Sequence, residues 1–339
     1  MAVRVEENGT SRPSCQKRLV ASTTRPSLRG MPFAWIAVLV IGFTVALIAS
    51  RRAVAHASTL AFGLRVPPFL IGVTLLAIGT DLPEIANSIV ASVTDHGDIN
   101  VGDSIGSAVT QVTLILGLLP FIGGAFIAGR ERVMVVGTLT VAALGVGAFL
   151  LRDGFLSRVD GIILIIAWLV SSIILWRNAP PAAQPAITVP SRRKSHHAAA
   201  ALGYMVLVGA GATAAVQAFV QLAETFSVPE YLMTFFAASI GTSLPELMVD
   251  VTALRRGERD LAIGDIFGSS LVDATLSIGI GPIVAPTLIT SDFAVRGSLL
   301  AMAAVAAVTL LLTLIRRHDW KTGFVLLMIY AATYVVLLN

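Results

Sequence analysis

Gly79-Thr80-Asp81-Leu82-Pro83-Glu84 recurs as Gly241-Thr242-Ser243-Leu244-Pro245-Glu246, and each copy stands inside a long apolar run. A carboxylate at the centre of a membrane helix costs about 2.5 to 3.5 kcal/mol on insertion scales, so it is rare there and points to function. Asp81, Glu84 and Glu246 all fall at that depth.

The runs around these copies decide the class of protein. Of 339 residues 55% are hydrophobic and 13% charged, and the mean hydropathy is +0.84, values no ordinary soluble domain shows. Segments 33–49, 68–92, 101–122, 133–151, 159–176, 198–221, 231–253, 262–285, 293–315 and 320–338 are each long enough to cross about 30 Å of hydrocarbon. The expected fold is therefore an all-α polytopic membrane protein with ten transmembrane helices. Residues 1–30 read as a polar, basic tail without periodicity. Residues 177–197, rich in proline and ending in Arg192-Arg193-Lys194-Ser195-His196-His197, read as an exposed linker between a first five-helix repeat (31–176) and a second (198–339).

Shifting the chain on itself from Gly79 to Gly241, an offset of 162 residues, also aligns Asp98, Gly102, Asp103, Gly106, Ser107, Thr113, Leu114 and Gly117 with identical residues. Five spans separate the copies. An odd number makes them cross in opposite directions, so the repeats are inverted. Positive charge supports the same topology. With the chain starting outside, the inner loops hold Arg51, Arg52, Arg65, Arg130, Arg132, Arg177, Arg192, Arg193, Lys194, Arg255, Arg256, Arg259, Arg316, Arg317 and Lys321, against Arg152, Arg158 and Arg296 outside. Both termini are then expected outside the cell membrane and the 177–197 loop in the cytoplasm. The basic tail opposes this arrangement, and a translation start at Met31 would remove the conflict.

Each motif proline lacks an N–H and breaks the helix ladder. Freed carbonyls at such depth are tolerated only against protein or a wet cavity. Asp103, Ser107 and Gln111 follow one another at i, i+4 and i+8, as do Asp265, Ser269 and Asp273, so each set forms a polar stripe on one helix. Gln111 and Asp273 fall near mid-membrane. Asp103 and Asp265 are expected at the helix starts, in capping or first-turn roles. Asp250, four residues past Glu246, either extends the site or pairs with Arg255 or Arg256. Gly102, Gly106, Gly264 and Gly268 are spaced for close helix packing.

Every Lys and Arg lies in a tail, a loop or a helix end. Asp81, Glu84, Glu246 and Asp273 are then either protonated or bound to a mobile cation. Carboxylate, hydroxyl, amide and carbonyl oxygens suit Ca²⁺ and Na⁺-like ions, and the lack of midplane His or Cys disfavours zinc and copper. Cys15, the single cysteine, lies in the tail and builds no disulfide. The basic residues lack the aromatic interleaving of a nucleic-acid surface.

The doubled Gly-Thr-x-Leu-Pro-Glu, each copy followed by Gly-x-x-x-Gly-Ser within five-plus-five helices, resembles the cation/Ca²⁺ antiporter superfamily, which includes the sodium/calcium exchangers. The resemblance covers nearly the whole chain from residue 33. It implies that Glu84 and Glu246 hold Ca²⁺ together with Gln111 and Asp273, and that Thr80, Thr242, Ser243, Ser107 and Ser269 line Ca²⁺ and Na⁺ positions. The implied activity is exchange of Ca²⁺ for Na⁺ by alternating access: a transporter and not an enzyme, without a resident cofactor, whose partners are small cations and the lipid bilayer. A monomer is compatible with this reading. The chain departs from the superfamily pattern in having Asp103 and Asp265 where asparagine is usual, Ala108 and Ser270 where a second asparagine is usual, Gln111 for Asn or Asp, and Asp81 for a serine. Asp81 or Asp273 carrying a proton would make a proton-coupled exchanger. Two readings stand further off: an intramembrane aspartyl protease built on Gly102-Asp103 and Gly264-Asp265, and a binding protein that no longer transports.

Overall fold

The computed structural model describes residues 32–62, 68–178, 191–255, 257, 259–315 and 317–338. The tail 1–30, the start expected at Met31 and linker residues 179–190 lie outside the described residues.

Elements follow the doubling of the sequence. In the first half, α1 (Pro32–Phe62) precedes α2 (Pro68–Leu70), which runs through a π-helical stretch, Ile71–Leu76, into α3 (Ala77–Thr80) and, past Asp81, α4 (Leu82–Val93). Next come α5 (Gly97–Thr110), a second π stretch at Gln111–Ile115, α6 (Leu116–Ile122), α7 (Arg130–Leu150) and α8 (Arg158–Arg177). In the second half α9 (Ser191–Phe226) is followed by α10 (Glu230–Met233), a π stretch at Thr234–Ala238, α11 (Ser239–Thr242) and α12 (Leu244–Arg255). Then follow α13 (Arg259–Val272), a π stretch at Asp273–Ser277, α14 (Ile278–Val284), α15 (Phe293–Leu314) and α16 (Trp320–Leu338).

The fold is all-α and polytopic. Among the described residues eight helices are long and apolar enough to cross a membrane, nine when Gly72–Thr80 and Leu82–Val93, bent by 54°, form one span. The tenth expected span, 198–221, falls inside α9. α1 and α9 run antiparallel, crossing where Gly42 meets Gly211 and continuing to where the His56 ring faces His196 at 6.0 Å and Tyr204 at 5.9 Å. This long mutual contact explains two boundary differences. α1 continues past Arg51-Arg52, where its apolar run ends, and α9 starts at Ser191, so Arg192 to His197 are helical and not part of a loop.

Burial ranks the helices. The spans Gly97–Ile122 and Arg259–Val284 are 78% and 83% buried, whereas α8 and α16 are 22% and 28% buried and turn Ile162, Ile166, Val325 and Val336 outward. The central pair is held by glycines of each repeat pressed on the broken helix of the other. Gly102 and Gly106 lie against Tyr231 and Phe235, and Gly264 and Gly268 against Phe69 and Val73, which are the same positions under the 162-residue offset. Small residues of this kind let backbones approach where lipid offers no hydrophobic driving force. The loops obey the same symmetry. Phe155–Leu156 pairs antiparallel with Thr287–Leu288, and Phe126 bridges His318 in the related loops.

α8 begins with a reciprocal cap. The Asp160 N–H donates to Ser157 Oγ (3.2 Å) and the Ser157 N–H to Asp160 Oδ2 (2.8 Å). Ser157→Ala is expected to cost about 1 kcal/mol, read as a lower midpoint in thermal unfolding of the purified protein. An unchanged midpoint would show that the cap contributes nothing.

Candidate functional site

Proline sets the geometry of both motifs. Pro83 occupies the first turn of α4, where its missing N–H is tolerated, but it cannot donate back to the turn that ends α3. The backbone therefore opens at Asp81 (φ −80°, ψ 8°), and at Ser243 in the second copy (φ −82°, ψ 5°). Gln111 and Asp273 each stand at the first residue of a π-helical stretch. Such stretches loosen the regular hydrogen-bond ladder and occur frequently at functional sites. The four side chains thus project from two helix breaks and two helix irregularities, all related by the repeat.

All ten residues singled out in the sequence are buried, none more than 3% exposed. One oxygen from each of Asp81, Glu84 and Asp273 lies within 4.8 Å of the others, the spacing of ligands around a single cation. Gln111 Nε2 donates to Asp81 Oδ1 at 3.4 Å, and its Oε1 accepts from Ser270 Oγ at 3.0 Å. Ser107 Oγ donates to Glu84 Oε1 (3.4 Å) and lies 3.2 Å from Thr242 Oγ1, while Thr80 Oγ1 and Ser269 Oγ are 3.3 Å apart. Glu246 lies beside Asp81 and Thr80. The Ser243 hydroxyl is buried but makes no hydrogen bond to the rest of the group.

These carboxyls have few donors. Asp81 Oδ2, Glu84 Oε2 and both oxygens of Glu246 and of Asp273 are buried without a hydrogen-bond partner. The ion pair of Arg132 with Asp260 is far more exposed and joins helix starts. Buried carboxylates are tolerated only when paired, protonated or bound to a cation. Their hard oxygens fit Ca²⁺, which takes six to eight such ligands, and Na⁺-like ions.

One sequence expectation is overturned. Asp103 and Asp265 are not capping residues. α5 and α13 start at Gly97 and Arg259, about two turns earlier, which leaves both aspartates in the buried interior at 1% and 0% exposure. Arg256 lies outside the described residues, and Asp250 does not pair with Arg255, whose guanidinium reaches the exposed Ile122 carbonyl at 3.3 Å. It is buried instead, facing Asp265. Asn87, which the sequence did not single out, bonds Asp103, and Ser270, notable in the sequence only as a departure from the superfamily pattern, bonds Gln111. The polar stripe contained the signal for Asp103 and Asp265, but the helix starts were set too late to show their depth.

Two broken helices bring carboxylates to the middle of an inverted-repeat helical bundle, and together these features define a polytopic membrane transporter. The chain matches the family described as sodium/calcium exchanger protein over residues 34–177 and 196–339. It belongs to that family, whose members are exchangers and not enzymes. The inner membrane protein YrbG of Escherichia coli (strain K12) is 32% identical across 74% of this chain and 80% of its own length. The sodium/calcium exchanger MaX1 of Methanosarcina acetivorans is 26% identical across 88% of this chain and 97% of its own. In structure, the sodium-calcium exchanger NCX_Mj superposes with a TM-score of 0.63 at 23% identity, covering 90% of this chain and 99% of that one.

Proposed function

We propose that this protein is a secondary antiporter that exchanges Ca²⁺ for Na⁺ across the cell membrane, with both termini outside. The observation that carries the reading is the buried, donor-poor cluster of Asp81, Glu84 and Asp273, whose oxygens converge within 4.8 Å. Glu84, Asp273 and Gln111, with Glu246 adjacent, hold Ca²⁺, and Thr80, Thr242, Ser243, Ser107 and Ser269 line the ion positions around it. Cations competing for overlapping oxygens couple their movements, and motion of α1 and α9 past the fixed site opens it to each side in turn. The family's name and that of MaX1 support this choice of ions.

A proton-coupled exchange is the second reading, favoured by Asp81. A third carboxylate beside Glu84 and Asp273 can take a proton where a hydroxyl could not. Uptake of ⁴⁵Ca²⁺ into proteoliposomes with imposed gradients separates the two. Uptake driven by a Na⁺ gradient alone supports Na⁺ exchange, and uptake driven by ΔpH alone overturns it. Asp81→Ser is expected to remove any ΔpH-driven component while Na⁺-driven uptake continues. Persistence of ΔpH-driven uptake in that variant would remove Asp81 as the proton carrier.

A further inference from the structure

α7 and α8 are consecutive spans, so the start of one and the end of the other meet at the same membrane surface. A cavity of about 750 Å³ lies there, away from the buried carboxylates, and its lining includes Phe69, Glu131, Arg132, Leu175, Arg177 and Asn178. Its charges are of both signs. Arg132 is already paired with Asp260, and its guanidinium lies over the Phe69 ring at 5.5 Å. Arg177 and Glu131 are exposed, and among the described residues neither has an ion-pair partner. Asn178 Nδ2 donates to the Ile174 carbonyl at 2.8 Å, which ends α8 at the cavity. Residues 179–190, which follow, contain no charged side chain, so they offer nothing to complement Arg177 or Glu131.

A second hollow shares Arg177. It is a groove of about 470 Å³ along α8, lined by Leu169, Ser172, Ile173, Trp176 and Arg177. The spacing i, i+3, i+4, i+7 puts the first four on one face of the helix. Leu169, Ile173 and Trp176 are exposed on a span that is only 22% buried, so this face meets lipid. From Arg177 to Leu169 the helix rises about 12 Å, from headgroup level into hydrocarbon, with Trp176 at the boundary where indole rings concentrate. The two hollows together form a polar pocket with one unpaired cation and one unpaired anion, opening onto an apolar channel.

We propose that this place binds a phospholipid with a zwitterionic, primary-amine headgroup, phosphatidylethanolamine. The phosphate meets the Arg177 guanidinium, the ammonium meets Glu131, and an acyl chain lies along Leu169 and Ile173. Phosphatidylcholine carries the same charges, but its quaternary ammonium has no N–H to donate to Glu131. An anionic headgroup such as phosphatidylglycerol leaves Glu131 facing like charge. The lipid borders Phe69, whose carbonyl lies against Gly264, so it touches the start of the first broken helix beside α13. The inference does not depend on which ions the protein exchanges.

Native mass spectrometry of the delipidated full-length protein, titrated in turn with phosphatidylethanolamine, phosphatidylcholine and phosphatidylglycerol, tests it. Wild type is expected to retain phosphatidylethanolamine with a roughly two- to fivefold preference over each of the others, the range that an exposed ion pair supplies. Arg177→Gln is expected to weaken binding of all three lipids. Glu131→Gln is expected to abolish the preference for phosphatidylethanolamine over phosphatidylglycerol while a lipid is still held. Both side chains are exposed, and a monodisperse gel-filtration peak checks that each variant is folded. Equal binding of the three lipids, a preference for phosphatidylglycerol, or an unchanged profile in either variant overturns the inference. So does retention of no lipid, the result expected if residues 179–190 fill the cavity. Inorganic phosphate added in place of lipid is expected to leave no adduct, and a phosphate adduct without any lipid preference would assign the pocket to a free anion and sink the proposal.

Discussion

Glu84→Gln and Glu246→Gln are each expected to abolish ⁴⁵Ca²⁺ uptake into proteoliposomes. The amide keeps the shape of the side chain but removes the negative charge that offsets dehydration of a divalent ion. Removing one partner of a buried charge pair costs about 3 to 5 kcal/mol, which corresponds to roughly two to four decades in affinity. Both glutamates are buried, with at least one oxygen free of any protein donor, so neither charge is neutralised by another side chain among the described residues. The comparison requires equal reconstitution of wild type and variants, checked by quantifying protein in the vesicles. Exchange at the wild-type level in either variant would remove that glutamate from the transport site.

The second large effect is structural. Gly106→Val and Gly268→Val are expected to prevent assembly of the native bundle. A Cβ at Gly106 would stand 2.2 Å from the Phe235 carbonyl oxygen, and one at Gly268 would stand 2.5 Å from Val73 Cα. Both clashes are with backbone, so no side-chain rotation relieves them. Relief would require each central helix to move away from the broken helix of the other repeat, separating the elements that carry Ser107 from Thr242 and Ser269 from Thr80. Fluorescence-detected gel filtration of the solubilised variants should show loss of the monodisperse peak. A normal peak together with normal uptake would mean that the two helices can part without consequence. Gly203 is a fitting control, because a Cβ there meets nothing within 4 Å.

The motifs themselves made most of the site legible. A proline withholds an N–H from the helix ladder, and a midplane carboxylate needs a cation or a proton, so both inferences follow from residue type and depth alone. The repeat of Thr80-x-Leu82-Pro83-Glu84 at Thr242-x-Leu244-Pro245-Glu246 then fixed two-fold symmetry without coordinates. Depth was harder to read for Asp103 and Asp265, because polar residues near a span boundary look like caps. Gly97 and Arg259 start their helices earlier than hydropathy alone indicates, and the first turns meet the other repeat, Gly97 at Leu288 and Asp260 at Arg132. The same limit applies to α1 and α9, whose polar ends are helical because each supports the other.

By itself, then, the sequence determined the membrane class, the inverted doubling and the identity of the oxygens offered to an ion, since these depend on composition, periodicity and local backbone chemistry. Tertiary structure decided which of those oxygens converge. It grouped Asp81 with Glu84 and Asp273, gave Asp103 to Asn87 and Thr242, and left Asp250 facing Asp265 without a donor. The pairings of Asp81 with Asp273 and of Asp103 with Thr242 join segments far apart in the chain, and glycines let the central helices that carry them approach closely.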